Sequence, residues 1–145
     1  MWTSLIVNLK QHRVGEAAID FVLKAAEAAN GKQVTLCPAT ADLDKCFYAL
    51  KEKGFTNVVL FNQKVDNVSS GESRTGTVCV DSLLNAKGTL LNHCETRIYG
   101  QQSHLNSEEQ FAELCTTIKK CLGKGLLVCI CADDNVTSGK IAEFL

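Results

Sequence analysis

Short β-rich segments alternate with amphipathic segments along the chain, and this alternation constrains the fold more than any other feature of the sequence. Helical spacing of apolar residues predicts helices, whereas short apolar runs between turn residues predict buried strands. Strands are predicted at residues 4–7, 33–37, 57–61, 88–91 and 126–131, and helices at 16–29, 40–53, 77–86, 107–122 and 136–145. Such alternation produces a parallel sheet with right-handed crossovers, so the sequence predicts an α/β fold of five sequential βα units.

The order of these elements leaves the closure of the sheet open. Five βα units suit part of a (βα)8 barrel as well as a doubly wound, flavodoxin-like sheet. The barrel requires a sequential strand order of 1-2-3-4-5, whereas the doubly wound sheet requires 2-1-3-4-5. Because 145 residues is an ordinary domain size and no linker or repeat interrupts them, residues 1–145 are predicted to form a single domain.

Composition and charge exclude several classes of partner. Hydrophobic residues make up 46% of the chain and charged residues 21%, a balance typical of globular proteins. The net charge of −1 gives no field that would attract nucleic acid or acidic lipid. No apolar run reaches the roughly 18 residues that a membrane span requires. The sequence therefore predicts neither a nucleic-acid partner nor a membrane partner.

The eight cysteines predict neither a metal centre nor a disulfide framework. No CxxC pair occurs among them, and the three histidines do not fall at metal-ligand spacing around them. We expect reduced, mostly buried thiols in a cytoplasmic protein, where free cysteine behaves as a small hydrophobe. A glycine-rich phosphate motif is also missing after the first predicted strand, which argues against a nucleotide cofactor.

Polar residues follow the first and fourth predicted strands, at the edge where parallel α/β proteins bind ligands. Asn8 and Lys10 follow the first strand, and strand periodicity places both side chains on the same face. A lysine there can hold a phosphate or a developing oxyanion, although a solvated lysine beside an asparagine turn has the same pattern. His93 and Glu95 likewise share a face after the fourth strand. A neutral imidazole can polarise a carbonyl there, and a histidine in a hydrogen-bonded loop is the alternative.

Residues 62–76 form the longest stretch without a predicted helix or strand. Loops of about fifteen residues are uncommon in compact domains and are usually functional or interfacial. The segment is therefore a candidate binding or contact loop.

Together these residues resemble the triosephosphate isomerase family, and its short archaeal form most closely. The resemblance rests on residues 5–10, which read LIVNLK, and on residues 88–97, which end in NHCETR. The loop ending in Thr75-Gly76 is similar to the interdigitating dimer loop of the family, and residues 131–135 resemble the turn after its fifth strand. The similarity runs in order over essentially the whole chain.

The resemblance implies an incomplete (βα)8 TIM barrel that runs from the first strand to the fifth helix. It also implies the interconversion of dihydroxyacetone phosphate and glyceraldehyde 3-phosphate, a reaction of glycolysis and gluconeogenesis, without a cofactor or metal. Lys10 would bind substrate and neutralise its charge, and Asn8 would orient Lys10. His93 would polarise the substrate carbonyl, and Glu95 would hold Lys10.

The sequence departs from the family pattern in its motif and in its extent. Cys94 stands where the family has serine, and Thr96 replaces the first of two arginines. The catalytic glutamate, the closing lid and the phosphate-binding glycines of the family follow strands six to eight, whereas this sequence stops at Leu145. We therefore expect the chain to be inactive alone. A degenerate homologue that serves as a structural or assembly subunit is the alternative.

The resemblance also predicts partners of two kinds. Thr75 and Gly76 would lie at a two-fold interface, with Thr75 reaching into the active site of a second copy. A carboxyl-terminal fragment or another chain would complete the barrel.

The incomplete barrel leads to a prediction about the isolated chain. Five strands of an eight-stranded barrel leave the first and fifth strand edges unpaired, and unpaired edges favour association. We expect the isolated chain not to form a stable monomer, as measured by sedimentation together with thermal melting. A cooperative melt of a strictly monomeric sample would contradict this expectation.

Overall fold

A computed structural model describes residues 5–93 and 107–131 of the chain. Its elements are β1 (Leu5–Asn8), α1 (Glu16–Ala28), β2 (Val34–Cys37), α2 (Thr40–Glu52), β3 (Val58–Asn62), a 3-10 turn (Val80–Ser82), β4 (Gly88–Leu91), α3 (Ser107–Gly123) and β5 (Leu127–Ile130). The helix predicted at residues 136–145 lies outside the described residues. None of the described helices is long and apolar enough to cross a membrane.

The five strands form one parallel sheet in the order β1-β2-β3-β4-β5. β1 pairs with β2 from Leu5 opposite Val34 to Asn8 opposite Cys37. The sequential order confirms the incomplete TIM barrel, because a doubly wound sheet would place β1 between β2 and β3. The flavodoxin-like alternative is therefore wrong. All five carboxyl ends lie at one edge of the sheet, which we call the carboxyl edge.

The two faces of the sheet carry different cores because successive strand residues point to opposite faces. Leu36 and Leu60 pack with Val22 of α1 and Cys46 of α2 in one buried cluster, so this face is the helix side. A second cluster on the same side joins α3 to β4 and β5 through Leu91, Val128, Ile118 and Cys121. The opposite face carries a smaller cluster, which consists of Cys37, Phe61 and Leu90 with Val59 and Cys129 packed against them.

The helix predicted at residues 77–86 is wrong, because the structure has only the 3-10 turn there. Asp66 forms hydrogen bonds with both the N–H and the carbonyl group of Val78. The Asp66 N–H donates to the Val78 carbonyl at 2.9 Å, and the Val78 N–H donates to Asp66 Oδ2 at 2.6 Å. This two-point pairing keeps Val78 out of a helix. An ion pair between Lys124 and Asp81 then fastens the turn to the segment after α3.

Gly88 shows how closely the strands approach at the start of β4. A Cβ atom at this buried position would lie 2.5 Å from Phe61 Cζ and 2.6 Å from the Leu127 carbonyl oxygen. The first contact is with the Phe61 ring, which packs in the smaller cluster on the face opposite the helices, and the second is with backbone. The contact distances therefore leave no room for a side chain at residue 88.

We expect Gly88→Ala to lower the free energy of unfolding by about 1–3 kcal/mol, because overpacking forces β3 and β5 away from β4. Urea denaturation of the two proteins measures the difference. Gly123→Ala is the matched control, since nothing lies within 4 Å of a Cβ at that position near the end of α3. The control should be neutral or stabilising. Equal stability of Gly88→Ala and the parent would contradict the packing argument.

Candidate active site

Asn8 and Lys10 meet at the carboxyl end of β1, but not as the sequence predicts. The chain turns at Lys10, which adopts a left-handed backbone with φ 49°. The Lys10 N–H donates to Asn8 Oδ1 at 2.9 Å. The prediction that the extended segment continues to Lys10 is therefore wrong. Asn8 instead fixes the backbone from which the lysine side chain departs.

Gln63 is a residue at this edge that the sequence analysis missed. It follows β3, and its Nε2 donates to the carbonyl oxygens of Lys10 at 3.0 Å and Cys37 at 2.9 Å. The Leu9 N–H donates to the same Cys37 oxygen at 3.1 Å. One amide thus links the ends of three neighbouring strands. Its position directly after a predicted strand, at the start of the candidate loop 62–76, is its signal in the sequence.

The end of β4 repeats the left-handed turn. Asn92 has φ 56°, and its Nδ2 donates to the Cys131 carbonyl oxygen at 2.9 Å. The Cys131 N–H donates to the Leu91 carbonyl oxygen at 2.9 Å. His93 follows immediately and is half-buried. The ends of β4 and β5 are therefore bound to each other beside the candidate histidine.

Lys10 and His93 lie at the same edge of the sheet, with β2 and β3 between their strands. This shared edge is the place where parallel α/β folds bind ligands. Glu95, together with Cys94 and Thr96, lies outside the described residues. The structure thus places three of the four candidate catalytic and binding residues at the expected edge.

The loop between β3 and the 3-10 turn exposes its tip. Thr75 and Gly76 are both exposed, and Gly76 has φ 77°. The base of the tip is held by side chains, because the Ser69 N–H donates to Glu72 Oε1 at 2.6 Å and Lys120 Nζ donates to Ser69 Oγ at 3.3 Å. The predicted interface residues therefore lie in an exposed part of the loop, a few residues after these contacts.

The seven cysteines that the structure describes are free, as expected, and four of them are buried. Burial raises the pKa of the Cys37 thiol to about 12, with a further contribution from the nearby Cys129 and Cys131 thiols. Burial also raises the pKa of Cys46 to about 11, and the Asp42 carboxylate adds to that shift. Both thiols are therefore protonated and inert at neutral pH. In the described part of the chain, no group of three or more His, Cys, Asp or Glu side chains could hold a metal ion.

A cavity of about 710 Å³ opens at the other edge of the sheet. Its wall includes Leu83, Lys87 and Leu126, which precede β4 and β5, together with Phe55 before β3. Phe47 and Leu50 of α2 also lie in this wall. The cavity is therefore separate from the edge that carries Lys10 and His93.

A parallel sheet in sequential order, with polar groups at its carboxyl edge, defines the class of the molecule: an α/β protein of the (βα)8-barrel type. A family model described as "Triosephosphate isomerase" matches residues 3–144. Two curated relatives are the triosephosphate isomerases of Methanopyrus kandleri, 34% identical over 92% of this chain, and Methanobrevibacter smithii, 26% identical over 97%. The chain belongs to the triosephosphate isomerase family.

The chain spans about half the length of these relatives, covering 55% of the first and 58% of the second. A solved structure gives the same proportion. The triosephosphate isomerase of Bartonella henselae superimposes with a TM-score of 0.68 at 21% identity, over 96% of this chain and 55% of that one. The latter comparison supports the fold independently of the sequence motifs.

The raised thiol pKa values lead to a test of the core. Since the Cys37 pKa of about 12 leaves a negligible thiolate fraction at pH 8, iodoacetamide should label Cys37 and Cys46 far more slowly than half-buried Cys79. Mass spectrometry of peptides after timed labelling measures the ratio. These thiols keep their protons in the folded state above the unfolded pKa of about 8.5, so stability should fall as the pH rises beyond that value. Labelling of Cys37 as fast as Cys79 would contradict the buried, protonated assignment.

Proposed function

We propose that the chain serves the interconversion of dihydroxyacetone phosphate and glyceraldehyde 3-phosphate, as part of a cytoplasmic enzyme of glycolysis and gluconeogenesis. The observation that carries the proposal is the backbone of Lys10, held in a left-handed turn by Asn8 at the carboxyl end of β1. The family motif assigns the substrate-binding lysine to this position. The chemistry that follows is the part of isomerisation that these residues can perform.

Lys10 supplies positive charge to a doubly anionic substrate. An ammonium acts on phosphate as a point charge, and its effect depends on where it is held. Asn8 accepts the Lys10 N–H at 2.9 Å and so fixes the direction in which the side chain leaves the backbone. Asn8 is therefore the residue that orients Lys10. The same charge stabilises the oxyanion that develops as a proton leaves carbon.

His93 polarises the substrate carbonyl. A neutral imidazole donates one N–H to the carbonyl oxygen, which favours the enediolate without first transferring a full charge. The left-handed turn at Asn92 sets the position of the histidine at the end of β4. Glu95 would hold the ammonium of Lys10 in the assembled site. The chain therefore contributes the electrophilic half of the reaction.

The general base comes from another part of the barrel. By the family pattern, a glutamate after a sixth strand removes the proton from carbon, a contribution worth about 10²–10⁴-fold or more. We propose that a carboxyl-terminal segment or a partner chain completes the barrel and supplies this base. Thr75 and Gly76 then contact a second copy, giving a homo-oligomer. The 145 residues by themselves turn over no substrate.

A degenerate, non-catalytic role is the second candidate. Cys94 beside the candidate histidine replaces a serine of the family, and a thiol is a weaker hydrogen-bond donor than a hydroxyl. Thr96 removes a positive charge from the same motif. A structural or assembly subunit would tolerate both changes.

Isomerase activity of the native, assembled protein tests the proposal. Lys10→Ala and His93→Gln should each lower kcat/KM by at least about 10²-fold, the usual cost of removing one group that stabilises transition-state charge. Lys24→Ala and His12→Gln are matched controls, because both side chains are exposed and neither is assigned to the site. The purified 145-residue chain should be inactive in the same assay.

Three outcomes are possible in this assay. Activity in the assembled protein that depends on Lys10 and His93 supports isomerisation. Activity in Lys10→Ala and His93→Gln equal to that of the parent protein would remove the proposed roles. Complete inactivity of the assembled protein, with normal folding, would favour the structural subunit.

A further inference from the structure

Gln63 reaches across two strands to the backbone of Lys10. From its position after β3, its Nε2 donates to the Lys10 carbonyl oxygen at 3.0 Å and to the Cys37 carbonyl oxygen at 2.9 Å. We infer that Gln63 is a positioning residue, which fixes the backbone of Lys10 and through it the approach of the ammonium to a phosphate ester. The part that concerns the ligand rests on the function proposed above.

The backbone of Lys10 needs external support. A non-glycine residue in the left-handed region crowds its Cβ against the backbone, so the conformation persists only where neighbouring groups over-determine it. The Lys10 N–H is held by Asn8 Oδ1, and its carbonyl oxygen is held by Gln63 Nε2. With both backbone groups of the residue bound, neither peptide plane at Lys10 can rotate without breaking a hydrogen bond. The two amide side chains thus act on the same residue from opposite sides.

A glutamine suits this position because of its donors. An amide –NH₂ carries two N–H groups, and the geometry presents two carbonyl acceptors. An ionised glutamate would offer acceptors only, and a lysine would add a second positive charge beside Lys10. Asparagine has the same donors on a side chain shorter by one methylene. The Cys37 oxygen meanwhile accepts from both Gln63 and the Leu9 N–H, which uses both of its lone pairs.

Fixing the carbonyl of Lys10 has a consequence for the side chain. The direction of the Cα–Cβ bond follows from the two peptide planes, and the ammonium lies several bonds further out. A misplacement of about 1 Å at a reacting group costs on the order of 10²-fold in rate. A clamp on the backbone therefore acts on binding and rate although Gln63 need not touch the substrate.

The opposite edge of the sheet provides a natural control. Asn57 precedes β3, and its Nδ2 donates to the carbonyl oxygens of Ala26 at 2.8 Å and Lys32 at 3.4 Å. The chemistry is the same, an amide bridging two carbonyls, but no candidate site residue lies there. A purely structural clamp should therefore behave like Asn57.

The test compares Gln63→Met with Asn57→Leu in the native protein. Each variant removes both donors and keeps a side chain of similar size. The first measurement, without ligand, is the ¹³Cα and ¹³C′ chemical shifts of Lys10. The second is the affinity for dihydroxyacetone phosphate from titration. We expect Gln63→Met to move the Lys10 shifts and to weaken binding about 10-fold, while Asn57→Leu lowers the melting temperature but changes neither.

The outcomes separate the clamp from the proposed function. Unchanged Lys10 shifts and unchanged affinity in Gln63→Met would overturn the inference, as would equal weakening by Asn57→Leu. Should Gln63→Met not fold, Gln63→Asn takes its place, since it keeps a polar amide that is too short to bridge both carbonyls. The inference then requires that Gln63→Asn also moves the Lys10 chemical shifts away from those of the parent. If the parent protein binds no dihydroxyacetone phosphate, the proposed function fails, and the ligand-free shifts alone decide whether Gln63 holds Lys10.

Discussion

At the carboxyl edge of a parallel sheet, the last carbonyl groups of the strands have no neighbouring strand residue to pair with. Those that are buried therefore require other hydrogen-bond donors. Among the described residues, two side-chain amides supply such donors together with backbone N–H groups. Gln63 donates to the carbonyl oxygens of Lys10 after β1 and Cys37 at the end of β2, and Asn92 donates to the carbonyl oxygen of Cys131 after β5. Because these amides come from turns that follow other strands, the same hydrogen bonds that complete the backbone also bind the strand ends together. The candidate residues Lys10 and His93 depend on these bonds for their place.

Side-chain amides bridge carbonyl groups at both edges of the sheet, but the residues that they hold differ. At the opposite edge, Asn57 bridges the turn after α1, and Gly88 allows close packing between β3, β4 and β5. Those contacts stabilise the fold and involve no candidate site residue. At the carboxyl edge, equivalent amide bonds hold two residues in left-handed turns that cost free energy. Of the three non-glycine residues with a left-handed backbone in the described part of the chain, Lys10 and Asn92 lie at the carboxyl edge, and Asn30 lies at the opposite edge after α1.

Local pattern predicts much of this fold, since all five strands lie within one residue of the predicted ends. Local pattern alone left the strand order open, because the order depends on the direction that each crossover takes along the sheet; the family resemblance predicted the sequential order that the structure has. The predicted helix at residues 77–86 fails because Asp66, twelve residues away, pairs with Val78. A left-handed asparagine at residue 92 is a common preference, whereas a left-handed lysine at residue 10 has no sequence signal. Gln63 was missed for the same reason, since its two partners are 53 and 26 residues distant.

The spatial relation between Lys10 and His93 depends on the pairing of β3 with β4. Lys10 is tied to β3 through Gln63, so β1, β2 and β3 hold one half of the site. β4 carries the other half, and it meets β3 through only two register pairs, Phe61 with Gly88 and Asn62 with Thr89. Both pairs lie at the carboxyl end of β3, next to Gln63. The short pairing therefore sets the distance across the site, and the absence of a side chain at Gly88 is what allows the two halves to approach.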